Sequence, residues 1–196
     1  MMRMMWSSAS ADRWANKHMD WQDLRRIVTD NSPSGRSRIL IDSGAAKLIA
    51  LEEAGLAEIW SAQTGEGRLL DATDRLADAD LKLEPDAGSV KVRWFTIAPE
   101  DPAKSAEEIE AGAAFAFSAV GAAHCRVDTT RNPGMHKTNS LDVIILVKGK
   151  VDMLLDDGEA EALKPGDVII QRATNHAWVN HGPETALLVA VLIHSS

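Results

Sequence analysis

The residues best equipped for chemistry lie in two short stretches. The first is Gly134-Met135-His136-Lys137-Thr138-Asn139-Ser140-Leu141-Asp142, and the second is Thr174-Asn175-His176-Ala177-Trp178-Val179-Asn180. Imidazoles and carboxylates ligate divalent metals, and imidazoles exchange protons near neutral pH. In an extended strand, residues two apart share a face. This spacing turns His136, Thr138, Ser140 and Asp142 one way if the strand is regular, and gives His176, Trp178 and Asn180 a face in common. Polar groups on such faces need hydrogen-bond partners if they are interior. Other chemistries lack their residues. No Ser-His-Asp set, glycine-rich phosphate loop or pair of catalytic carboxylates stands out, and Gly65-x-Gly67 lacks the rest of a dinucleotide fingerprint.

The elements that position these stretches read as strands. After Gly35, short Val-, Ile- and Leu-rich segments recur between turn residues: Arg38 to Asp42, Ala57 to Ala62 and Ser89 to Ile97. From His124 onward the rhythm is denser, with His124 to Thr129, Asp142 to Val147, Lys150 to Leu155, Asp167 to Gln171, His176 to Asn180 and Thr185 to Ile193. Lys148-Gly149 and Asp156-Asp157-Gly158-Glu159 are tight turns, the second a hairpin signal. Many short strands with few helices predict an all-β sandwich or barrel. Lys104 to Ala113 is the clear internal helix, with an N-cap at Ser105 and Glu107 and Glu108 in its first turn, and it is expected outside the sheet as an insertion or lid. Asp71 to Asp80 reads as a solvated loop or single turn. Trp14, His18, Trp21 and Leu24 fall on one helical stripe, so residues 10–28 are expected as a short helix or arm packing its indoles on the domain or on a second subunit.

The chain has 196 residues and a net charge of −8. That length suits one domain with an extension, drawn as an N-terminal arm over 1–34 and a β-barrel domain over 35–196. The acidic balance argues against nucleic acid and anionic membranes as partners. No apolar run reaches the length of a bilayer span. Met1 to Trp6 turns polar at Ser7 without an apolar signal-peptide core, so the expected location is the cytoplasm, and residues 1–18 are ones whose order the sequence leaves open. The single cysteine, Cys125, rules out an intramolecular disulfide and a multi-cysteine metal site; it reads as a small buried hydrophobe. His124, His181 and His194 read as structural or exposed.

The spacing of His136, Thr138, Asp142 and Gly149, followed by Gly166-Asp167, His176 and Asn180, resembles the two motifs of the cupin superfamily. The first motif there has the form His-x-His-x3-Glu-x6-Gly. The run through Thr138, Ser140, Asp142 and Gln171-Arg172-x-Thr174-Asn175-His176-Ala177-Trp178 is similar to a subgroup of small single-domain bacterial and fungal cupins. The resemblance implies a jelly-roll barrel (a double-stranded β-helix) with the N-terminal arm and a peripheral helix, paired as a homodimer. It places His136, Asp142 and His176 at metal-ligand positions. Thr138 stands where the family has its second histidine, Asp142 where it has glutamate, and the Gly166 to His176 spacing is one residue short.

Two imidazoles and a carboxylate form a facial set that leaves open positions on iron(II), and zinc, manganese or nickel would serve as well. Thr138, Ser140, Gln171, Trp178 and Asn180 are the expected pocket or substrate residues, with Trp178 as pocket wall or plain core. The functional expectation is a metal-dependent enzyme acting on a small organic molecule, of oxygenase, decarboxylase or isomerase/lyase type. A metal-free cupin that binds or senses a small molecule is the alternative, and the residues suit a site without any cofactor equally well.

Overall fold

A computed structural model of the chain describes residues 20–51, 54–65 and 71–194. Strands β1 (Arg26–Asn31), β2 (Ser37–Ser43), β3 (Lys47–Leu51), β4 (Ala54–Gln63) and β5 (Ser89–Ile97) precede helix α1 (Ala106–Ala119). Strands β6 (Leu141–Lys148), β7 (Val151–Leu155), β8 (Glu161–Leu163), β9 (Val168–Arg172), β10 (His176–Val179) and β11 (Ala186–Ile193) follow it. Among the described residues the fold is all-β with one peripheral α-helix, as expected.

The strands form three antiparallel ladders: a β1-β2 hairpin, a three-stranded sheet ordered β10-β7-β8 and a six-stranded sheet ordered β3-β4-β5-β11-β6-β9. The core lies between the two larger sheets. Ile144 and Leu146 of β6, Val151 of β7, and Ala186, Leu188, Ala190 and Leu192 of β11 are buried together, with Phe95 and Trp178 packed against them. Alternation explains the choice: along β6, Asp142, Ile144 and Leu146 point inward while Leu141 and Val147 are exposed. Gly149 passes the chain from the six-stranded sheet to the three-stranded one. Its φ is +87°, and a Cβ there would lie 2.8 Å from Cα of Ala186, so both conformation and contact demand glycine. The Asp156 to Glu159 turn closes the expected hairpin, β7 with β8.

Three expectations change. Trp14 and His18 lie outside the described residues. Trp21–Asp23 is a single 3-10 turn capped by Asp20, and the chain is already extended at Leu24, so the described part of residues 10–28 is not α-helical. Trp21 does pack on the domain, against Gly55 of β4, where a Cβ would meet its ring at 2.3 Å. His124 to Thr129 is not a strand: Gly121, at φ +63°, turns the chain into a 3-10 turn over Ala123–Cys125. The run His136 to Ser140 is irregular, β6 beginning only at Leu141; His136 makes an isolated bridge to His176 instead.

The helix forms where its cap signal lies. Ser105 Oγ accepts from the Glu108 amide and the Glu108 carboxylate accepts from the Ser105 amide, a complete capping box. It runs six residues past Ala113, because Ala116, Phe117 and Ser118 carry no helix-breaking residue before Gly121.

Candidate functional site

A mainly apolar cavity of about 240 Å³ opens between the sheets. Its walls come from β3, β4, β5, β6, β10, β11 and the C-terminal turn of α1. Ile49, Leu56, Phe95, Ile97, Ile144, Leu192 and Trp178 supply apolar surface, and Ala116, Phe117 and Val120 of the helix region cover one side. The polar residues reaching it are Arg93, Thr96, Thr138, Asp142, His136 and His176. The helix therefore has the lid position expected of it.

The two histidines are fixed by the backbone. The His136 amide donates to the His176 carbonyl at 2.9 Å and the His176 amide returns the bond at 3.0 Å. The rings end with centroids 4.3 Å apart. Each Nδ1 lies 2.9 Å from a carbonyl oxygen, that of Gly134 for His136 and that of Thr174 for His176. A carbonyl can only accept, so each Nδ1 carries the proton and each Nε2 presents a lone pair. This is the tautomer a metal or a proton donor in the cavity needs. Burial, with His176 as a second cause, pushes the His136 imidazole down to about 3, and burial lowers His176 as well. Both rings are therefore neutral at physiological pH. Phe117 packs on His136 with centroids at 4.8 Å, and Trp178 meets His176 edge-on at 5.4 Å.

Asp142 is held by hydroxyls. Ser140 Oγ donates to its Oδ1 at 2.5 Å and Thr138 Oγ1 donates to its Oδ2 at 3.1 Å. Burial raises its carboxyl above the usual range, against the lowering effect of these two donors. Thr138, at the position of the missing histidine, thus serves the carboxylate. The donor chemistry of His136, His176 and Asp142 fits a divalent ion, since two imidazole lone pairs and a carboxylate line one cavity. Their ligand atoms do not all lie within 4.8 Å of one another; among the described residues that closeness belongs to Glu84, His124 and Cys125.

The remaining sequence-predicted residues divide. Trp178 is a cavity wall. Ser140 acts through Asp142 and borders a separate depression with Asn139, Leu141 and Arg172. Gln171 is buried beside the cavity without lining it: its Nε2 donates to Met153 Sδ at 3.5 Å, and Thr174 Oγ1 donates to its Oε1 at 2.6 Å. Asn180 is fully buried and likewise does not line the cavity. Its Nδ2 donates to the carbonyls of Ile97 and Glu184, and its Oδ1 accepts from the Gly182 amide, so all of its polar capacity closes a loop.

Sequence reasoning missed Arg93. Lys91 and Arg93 alternate with Val90 and Val92 in β5, a pattern that reads as a solvated face, yet it is the charged face that is buried. The partner is Glu58, aligned with Arg93 in the β4–β5 register, with Arg93 Nη2 donating to Glu58 Oε1 at 2.9 Å. It also missed the Glu84–His124–Cys125 cluster. There His124 Nε2 lies 2.9 Å from Glu84 Oε2 and 3.6 Å from Cys125 Sγ, and burial with the Glu84 charge pushes the thiol up to about 11. Glu84 is distant in sequence, so no spacing announces that cluster.

No family model matches the chain. Over 46 residues it is 50% identical to a phomopsin biosynthesis cluster protein of Diaporthe leptostromiformis, covering 24% of each chain. It is 44% identical over 46 residues to a cupin-domain-containing oxidoreductase of Aspergillus ruber, covering 24% of this chain and 23% of that one. The matched segment thus spans about a quarter of these curated relatives. A solved polyketide cyclase from Streptomyces resistomycificus aligns over 91% of this chain and 79% of its own, at 14% identity and a TM-score of 0.40. The chain resembles cupin-domain proteins, and its all-β architecture is the one that resemblance implies.

Proposed function

We propose that the chain is a small cupin that binds and transforms a small organic molecule in the cavity between its sheets, with a divalent metal ion held by His136, His176 and Asp142. The observation that carries this reading is the pair of Nδ1–H···O=C bonds, which leaves two unprotonated Nε2 atoms in one apolar cavity. A bound metal would supply Lewis acidity and open coordination positions. The protein's own groups do the rest: the imidazoles stay neutral through burial, Ser140 and Thr138 orient the carboxylate, and Trp178 and Phe117 exclude water from the rings. Relatives named as cupin-domain oxidoreductases and biosynthesis cluster proteins support small organic substrates and make oxidation the first reaction class to assay.

A metal-free binding module is the second reading. It is favoured by the engagement of both Asp142 oxygens by hydroxyls and by the spread of the three ligand groups. Metal analysis of untagged protein separates the two. Near-stoichiometric iron, zinc, manganese or nickel, or a rise in Tm when one is added, supports the enzyme, provided that His176→Ala abolishes it. Protein without metal and without any such rise supports the binding module.

The domain reading keeps residues 35–196 as the functional unit and 1–34 as an arm, supported by the Trp21–Gly55 contact. A homodimer is supported by the outer face of the six-stranded sheet, where Leu141, Val168, Ile170 and Ile193 expose apolar surface on neighbouring strands. Sedimentation giving a dimer mass at micromolar concentration supports the pairing, and a monomer mass removes it. No helix among the described residues is long and apolar enough to cross a membrane; the proposed site of action is the cytoplasm.

A further inference from the structure

Arg93 stands on the inward face of β5 and lines the cavity, yet it is only 2% exposed. Its Nη2 donates to Glu58 Oε1 and to the Lys82 carbonyl at 2.8 Å, while Nε and Nη1 make no hydrogen bond. A guanidinium keeps its proton and all five donors when buried. Buried donors without acceptors are rare in native proteins, and a charged one is the most costly kind. Glu58 meets the guanidinium through Oε1 alone, and its Oε2 is itself buried without a partner, so the pair leaves Nε and Nη1 unmatched. Lys91 Nζ, 3.8 Å from Glu58, donates to the carbonyls of Lys82 and Glu84, so this buried group holds two cations against one carboxylate. Asp142, the other carboxylate on the cavity, is occupied by Ser140 and Thr138.

The sheet register leaves room beside this unmatched charge. Arg93 pairs with Ala190 of β11, which pairs in turn with Ile144 of β6, and all three line the cavity. Ala190, the neighbour of Arg93 on this face, carries only a methyl group.

We propose that Arg93 is the anion anchor of the cavity, so that the molecule bound there is a small apolar carboxylate whose oxygens take up the donors left open by Glu58 and Lys82. This rests on the reading that the cavity accepts a small organic molecule. The apolar part of the ligand lies over Ala190 and Ile144, which directs its other end toward His136 and His176.

Phenylacetate and its neutral near-isostere phenylacetamide test the assignment by calorimetric titration of chelator-treated and of zinc-loaded protein. Phenylacetate is expected to bind roughly ten- to a hundredfold more tightly in both metal states. The preference disappears in Arg93→Gln, and also in Glu58→Gln/Arg93→Gln, which leaves no single buried charge behind. Equal binding of the two probes by the native protein overturns the anchor and leaves the cavity reading standing. A preference that appears only with zinc and survives both variants places the anion on the metal and also overturns it. If neither probe binds, the cavity reading falls and the inference with it. Should both variants fail to fold, the comparison of probes on native chelator-treated protein decides the matter.

Discussion

His136 and His176, forty residues apart, exchange backbone hydrogen bonds in both directions, at 2.9 and 3.0 Å. This single bridge, outside any named strand, ties the irregular segment before β6 to the first residue of β10 and so joins the two large sheets at the cavity. Because the backbones are locked, the rings cannot drift apart, and their tautomers follow from the carbonyls behind them. The chemistry of the cavity is thus set by main-chain geometry rather than by side-chain packing alone.

Acid should destabilise the protein through these rings. His136 has a folded pKa of about 3 against an ordinary value near 6.5, and His176 is lowered too. Between those values the unfolded chain binds protons that the folded chain does not, so stability falls as pH drops below about 6.5. Asp142, raised by burial, works in the opposite sense just above its ordinary value, but it is one group against two. Urea denaturation from pH 7.5 to 4.5 should show this decline, and His136→Gln should flatten it.

Alkali should act through Cys125. Its thiol, raised from 9.0 to about 11, stays protonated in the fold while the unfolded thiol ionises, so stability declines as pH rises through that interval. Cys125→Ala should show a weaker decline between pH 9 and 10.5 in the same denaturation measurement.

Asn180 should matter to stability and not to binding. Replacement by alanine removes the three hydrogen bonds that tie Asn180 to the Ile97 and Glu184 carbonyls and the Gly182 amide, at a cost of about 1–3 kcal/mol. Equilibrium unfolding should register that loss while any cavity ligand keeps its affinity, because Asn180 does not touch the cavity.

Gly55→Ala should loosen the N-terminal segment. The added methyl group would lie 2.3 Å from the Trp21 ring and 2.4 Å from the Ile49 carbonyl, and the backbone oxygen cannot yield cheaply. A loss of about 1–3 kcal/mol is expected, with a red shift in tryptophan emission as Trp21 is displaced.

Much of the architecture was legible because strand alternation is a local signal. Ser89 to Ile97 is read residue for residue, and the β6, β7 and β9 to β11 segments are right to within a residue or so at each end. The short β8 and the β1 and β3 strands escaped; burial alternates along β1 and β3, but apolar Ile27 and Leu48 fall on the exposed face, so polarity along the sequence does not follow the alternation. At the site, His136, Asp142, His176, Thr138 and Trp178 could be gathered from spacing and family resemblance, and all five line one cavity. Gln171 and Asn180 could not be separated from them, since both are buried polar residues whose partners, the Met153 and Thr174 side chains for Gln171 and main-chain groups for Asn180, are invisible to a sequence pattern. Arg93 was hidden because its burial depends on Glu58, thirty-five residues away in the chain, and on strand pairing that only the folded register reveals.

His136 and His176 present two neutral imidazoles with free Nε2 atoms to the cavity. Nitrogen-detected NMR of the histidine rings, recorded from pH 8 to 5 and then with zinc added, tests it directly. His136 and His176 should remain Nδ1-protonated across that range, and both Nε2 resonances should shift on adding the metal. Nε2–H on either ring, or a normal titration near pH 6.5, would contradict the geometry; unshifted Nε2 signals with zinc present would leave the tautomers intact and remove the metal.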